Sequence, residues 1–297
     1  MVYISTPELA AAVSNAGGLG QLTCIIGNRD GETLTANIRR TRELTDKPFA
    51  VNIPLIMPNA AELVETAAKE RVHVITTSAG NPGKFTAAIR EHGIRVCHVV
   101  PSVKLGQKAE EAGVDIIVAE GWEAGGHNAY DDVTTMTLIP QITQAVKTPV
   151  VAAGGIADAR GVAAALVLGA EGVQMGTRFI MTRECAAHEN MKRAIADAAD
   201  TATVVTGRAF GPIRVLKNAL AAEILAWEAQ GVPAAEILER IGGGRSKRAL
   251  LHGAIEEGSP MSGQVAGLLS RVTSVQEVFD SILGEVHNVL ERARRIL

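Results

Sequence analysis

The chain has 297 residues, of which 47% are hydrophobic, 21% charged and only 3% aromatic, with a net charge of −3. It is long enough for a full (β/α)8 barrel with an insertion, and its near-neutral balance without a long basic run argues against nucleic acid as a partner. No apolar run reaches bilayer-spanning length and the start lacks a signal-peptide pattern, so a cytoplasmic protein without membrane association is expected.

Residues 6–16 read as a helix, with Ser5 or Thr6 as N-cap, Pro7 at the first position and Glu8 in the first turn. Gly17 and Gly18 end it. Apolar, β-branched runs follow at 19–25, 49–53, 72–77, 94–100, 114–119, 150–153 and 172–176. Amphipathic stretches lie between several of them: 60–69, with Ala61, Val64 and Ala68 on one face, then 103–112 and 138–146. This is the rhythm of a parallel βα sheet, whose strands, buried on both faces, favour an aliphatic composition. The expected fold is α/β, a TIM-type (β/α)8 barrel, but the strand that should precede the first helix is missing from it.

After Arg183 the rhythm stops. Helical patterns are expected at 189–199, 213–229 and 234–242, forming a smaller lobe over the barrel mouth. A long terminal helix over 275–296 returns to the barrel wall. The expected division is therefore 1–185 with 273–297 as the barrel and 186–272 as the lobe.

Three segments at strand ends carry chemistry. The run VDIIVA at 114–119 opens into Glu120-Gly121-Trp122-Glu123-Ala124-Gly125-Gly126-His127. A histidine behind two glycines at a strand end can shuttle or donate a proton near neutral pH, and the C-terminal ends of barrel strands are where such enzymes place their chemistry. Glu120 and Glu123 are candidates for an acid–base pair or for accepting hydrogen bonds from a cofactor. Gly154-Gly155 and Gly176-Thr177 follow two consecutive late strands. Glycines there let backbone N–H groups approach phosphate oxygens, and the loops after the last two strands of a barrel commonly hold a phosphate. The competing reading of these glycines is tight βα turns and nothing more.

Other features carry less. His73, His92, His98, His188, His252 and His287 lack a comparable frame and are read as structural. Cys24, Cys97 and Cys185 form no CxxC pair, so neither a disulfide framework nor a zinc site is indicated, and no second histidine or aspartate cluster points to a metal. The tract at 242–247 lacks P-loop spacing, and Ser262 lacks the strand context of a nucleophile elbow.

In these segments the chain resembles the superfamily of flavin-dependent enoyl-acyl-carrier-protein reductase II and nitronate monooxygenase. The resemblance rests on LAAAVSNAGGLG at 9–20, PFAVNI at 48–53, TTSAGNPGK at 76–84, the EGWEAGGH run, AAGGIA at 152–157, GVQMGTRF at 172–179, RVLKN at 214–218 and GSPMSGQVAGL at 258–268. It covers nearly the whole chain in order. It implies a TIM barrel carrying FMN beneath a helical lobe, with His127 as the catalytic residue. It also implies cofactor contacts from Gly18, Asn52, Thr76, Glu120, Gly125, Gly154, Gly155, Gln174, Met175, Gly176 and Thr177. The expected reaction is NAD(P)H-dependent reduction of a 2-enoyl thioester. The rival within the superfamily is oxidation of an alkyl nitronate with oxygen, and the rival outside it is a non-redox barrel that binds a phosphorylated metabolite. The segment 134–138 (TTMTL), with the RVLKN and GSPMSGQVAGL segments, favours the reductase, whereas the loop 128–133 after the histidine is longer than usual in that branch. With no Rossmann fingerprint, a nicotinamide would have to use the lobe surface. The sequence leaves the oligomeric state open, a homodimer being one outcome.

Overall fold

A computed structural model describes residues 1–25 and 33–296. All seven expected strands are present and form one parallel sheet: β1 (Gly20–Thr23), β2 (Phe49–Pro54), β3 (Val74–Ser78), β4 (Arg95–Val100), β5 (Ile116–Glu120), β7 (Val150–Ala153) and β8 (Gly172–Gln174), after the two-residue β6 (Gly126–His127). They hydrogen-bond in the order β1-β2-β3-β4-β5-β7-β8. The sheet curls as a TIM-type barrel does, yet β1 and β8 are not paired with each other. Along the outer side of β1 run residues 1–5: the Tyr3 amide donates to the Ile25 carbonyl at 2.9 Å and the Thr23 amide to the Ser5 carbonyl at 3.0 Å.

The two-residue period of the strands sorts side chains into two layers. Val51, Ile53, Ile75, Val96, Ile117, Ala119 and Ala152 face the helices, where they meet Val64, Ala67, Ile89, Ala109, Leu138 and Ile142. Their neighbours Ala50, Val74, Cys97, Val118 and Ala153 form a small cluster on the concave side. His98 belongs to the outer layer, 3% exposed, with Nδ1 2.7 Å from the Thr77 hydroxyl.

The first helix spans Pro7–Asn15 with Thr6 in the N-cap position. Neither expected side chain caps it: Thr6 makes no capping bond, and the Ser5 hydroxyl donates to the Gln21 carbonyl. The final helix, Val275–Arg294, starts with a capping box between Ser274 and Glu277. It packs against both Pro7–Asn15 and the helix Ala159–Val167, and so straps the unpaired edges together. No helix among the described residues is long and apolar enough to cross a membrane.

The stretch expected to be wholly helical is not. Residues 213–216 form β10 (Ile213–Leu216), antiparallel to β9 (Thr203–Thr206), and β6 joins the other side of β10 to complete a three-stranded sheet. The helix starts only at Ala219, where the Asn218 side chain accepts from the Ala221 amide. The physical reason is the pairing: Ile213 and Arg214 face His127 and Gly126, and this long-range ladder overrides the helical pattern of the residues that follow.

Candidate active site

A cavity of about 540 Å³ opens at the C-terminal ends of the strands and extends towards the unpaired edges. This is a normal volume for a cofactor pocket. Gly18, Thr76, Glu120 and Gly125 line it, together with Gly154, Gly155, Gln174, Met175, Gly176 and Thr177. Of the twelve residues that the resemblance implies, ten thus come together around one space, and Asn52 and His127 lie outside its lining. The Asn52 side-chain amide donates to the Thr76 carbonyl at 3.1 Å and so ties β2 to β3.

Backbone conformation explains the glycines. Gly154 and Gly155 have φ of +88° and +74°, a region that other residues enter only at a cost. A Cβ on Gly154 would also stand 2.8 Å from the Gly121 carbonyl oxygen. Gly125 is crowded differently: its Cβ would meet the Ser262 and Gly263 backbone at 2.5 Å. Gly176 has open space, where a Cβ would meet only Met1 at 3.8 Å. The amides of Gly155 and Gly176 donate to no carbonyl among the described residues. Small, unpaired and facing one cavity, these loops fit a phosphate-bearing cofactor.

The two acids differ. Glu123 receives the Thr135 amide at 3.1 and 2.9 Å and the Thr135 hydroxyl at 3.0 Å. Both oxygens are engaged at the start of the helix Thr135–Ala145, so Glu123 is an anchor rather than half of an acid–base pair. Glu120 lines the cavity, and burial pushes its carboxyl up to about 7. A protonated carboxyl at neutral pH donates a hydrogen bond as well as accepting one.

His127 occupies β6, paired with Ile213, two residues beyond the cavity-lining Gly125. The residue stays open to solvent, yet the surrounding protein is dense enough that desolvation lowers the imidazole pKa. The shift favours the neutral ring.

From the segment 258–268 sequence reasoning weighed only Ser262, as a nucleophile, and set it aside. Met261, Gly263 and Val265 line the cavity, and the Gly263 amide donates to the Thr177 hydroxyl at 2.9 Å. Met1 and Gln21 join them. For the lobe residues the only available signal was the resemblance of the whole GSPMSGQVAGL run.

Comparison with known proteins agrees with this geometry. Residues 1–285 match the model of the nitronate monooxygenase family. Over all of this chain and 94% of its own length, a (3aS,4S,5R,7aS)-5-hydroxy-7a-methyl-1-oxo-octahydro-1H-indene-4-carboxyl-CoA dehydrogenase of Mycobacterium tuberculosis is 32% identical. A probable nitronate monooxygenase of Staphylococcus aureus is 30% identical over 98% of this chain and 94% of its own. Among solved structures, FabK from Thermotoga maritima superposes with a TM-score of 0.94 at 42% identity, covering 100% of this chain and 94% of that one. The chain belongs to the nitronate monooxygenase family and is a flavin-dependent oxidoreductase.

Proposed function

We propose that the protein uses FMN and a nicotinamide donor to reduce a 2-enoyl thioester. The observation that carries this reading is the likeness to FabK, an enoyl-acyl-carrier-protein reductase II, at 42% identity over the whole chain. A relative named as a carboxyl-CoA dehydrogenase adds support for a thioester substrate. Residues 1–185 with 273–297 form the cofactor-binding unit in this reading, and 186–272 the lobe that covers it.

The phosphate would rest against the Gly154-Gly155 and Gly176-Thr177 loops, with Glu120 and Gly125 beside the ring system. When bound, the flavin supplies the redox chemistry, taking electrons from the nicotinamide and passing them to the second substrate. His127, neutral at working pH, donates a ring N–H to the thioester carbonyl and polarises it. A neutral imidazole can do this without first taking up a proton. The segment 261–265 packs over Gly125 and limits water at the mouth.

The family model and the staphylococcal relatives favour a second reading, oxidation of an alkyl nitronate with oxygen. Anaerobic mixing separates the two. Purified protein should release FMN on denaturation, and its flavin absorbance should bleach with NADH or NADPH and return on adding a 2-enoyl thioester without oxygen. Consumption of nitronate and oxygen with no nicotinamide present would instead establish the monooxygenase.

A further inference from the structure

The loop that carries His127 is closed on itself by the Trp122 amide donating to the Val133 carbonyl at 2.9 Å and the Asn128 side chain to the Ala124 carbonyl at 2.9 Å, and it is held from outside by a hairpin whose grip has two unlike ends. At the buried end, Arg214 is 3% exposed. Its Nε and terminal nitrogen donate to the Trp122 carbonyl at 3.1 and 2.9 Å, and its other terminal nitrogen reaches the Thr203 hydroxyl at 3.2 Å. Next come the paired strands, Ile213 against His127 and Arg214 against Gly126. The Asn128 amide then donates to the Pro212 carbonyl at 2.9 Å. At the outer end, the Arg208 guanidinium grips the Asp132 carboxylate with two bonds, 3.0 and 3.1 Å. Both arginines approach the Trp122 ring, with guanidinium carbons 5.0 and 5.8 Å from its centroid.

These ends differ in how easily they break. Freeing Arg214 would strand a buried cation and its donors, which is costly. Asp132 and Arg208 keep about half of their side-chain surface in water, 53% and 54%. An exposed pair is worth little by itself, but a planar fork that also stacks on an indole holds a defined geometry. The hairpin's grip therefore has a buried root and an exposed, releasable end, and that end lies on the segment directly after His127.

We propose that Asp132 and Arg208 are positioning residues: their fork over Trp122 holds the 128–133 loop closed beside His127 and so shapes the approach of the second substrate to it. With the fork broken, the root and the backbone pairing of His127 persist, but residues 129–132 sample open arrangements and no longer shape the approach of the second substrate to the imidazole. The kinetic part of this inference rests on the proposed role of His127; the structural part does not.

The test combines a double-mutant cycle with a local optical probe. The chain has two tryptophans, so a Trp227→Phe background leaves Trp122 as the sole indole. In that background Asp132→Asn and Arg208→Gln should each red-shift Trp122 emission and raise its acrylamide quenching about twofold. Each should raise the KM for the second substrate by about threefold to tenfold, with the rate of flavin reduction by nicotinamide unchanged. The double variant should be no worse than either single one, as expected for two residues acting through one contact, and Asp132→Glu should stay close to the parent. Additive losses, or unchanged KM in both single variants, would overturn the positioning role, and unchanged emission and quenching would overturn the clamp itself. Should the parent turn over neither thioester nor nitronate, the functional reading fails on its own, and the fluorescence comparison still decides the clamp.

Discussion

At the scale of single residues, His127 and His98 show what an environment does to one kind of ring. His127 lies two residues beyond the cavity lining with a lowered pKa, and its backbone is committed to the ladder with Ile213. Its side chain can therefore be removed without unpairing the hairpin. His127→Ala should keep the flavin and its reduction by nicotinamide, yet lose about 10²- to 10⁴-fold in turnover of the second substrate, the range for a group that polarises or transfers a proton. Stopped-flow comparison of the two half-reactions checks this; normal turnover would remove His127 from the mechanism. His98 is held instead between sheet and helices, where burial lowers its pKa to about 4. In the unfolded chain the same ring takes up its proton near 6.5. The native state binds fewer protons than the unfolded state between these values, so this stability is complete above pH 6.5 and is lost as pH falls towards 4. The loss is on the order of 3 kcal/mol. Urea unfolding at pH 7 and pH 4.5 should show a smaller drop for His98→Gln than for the parent. Parallel drops would mean that the ring is not protected as its burial implies.

At the scale of elements, the glycine loops separate two jobs that one residue type can do. Gly154 is fixed by its own backbone, with positive φ and a carbonyl in the way of any Cβ. Gly176 has an ordinary φ of −104° and room for a side chain. Its smallness thus serves whatever enters the cavity more than it serves the turn. Gly176→Asp should fold with a circular-dichroism spectrum and melting behaviour close to the parent without cofactor, and should fail to retain FMN, because a carboxylate would meet the phosphate charge against charge. Retained affinity would place the phosphate elsewhere. The seven parallel strands were legible in the sequence because each is an aliphatic run closed by a turn signal, as at 114–119 before Glu120. The strands β6, β9 and β10 were not. They lie outside the βα rhythm, β6 spans only two residues, and the Ile213 run leads straight into the helical pattern of 219–229. Asn218 was the available clue, an N-cap residue that marks the helix as beginning after it. The grip of Arg214 on Trp122 could not be read at all, because 92 positions separate the two and no local periodicity reports such a contact.

At the scale of the whole molecule, the cavity-lining glycines were recoverable because strand-end loops of a barrel meet at one face whatever their spacing in sequence. The closure of the molecule was harder to foresee. Its sheet is an open ring whose two loose edges are bridged by the helix Val275–Arg294. That bridge is made about a hundred residues after β8 ends. At the usual pace of synthesis, about 5 to 20 residues per second, the ribosome delivers the strap some 5 to 20 s after the last barrel strand. During that interval a nascent chain carries a complete sheet whose β1 edge is met by residues 1–5 but whose β8 edge lacks a strand partner among the described residues, a form open to edge-to-edge association. The time of exposed edges is thus set by the order of the chain, and the lobe, whose residues 186–272 emerge between the two events, is the next segment able to cover the waiting sheet.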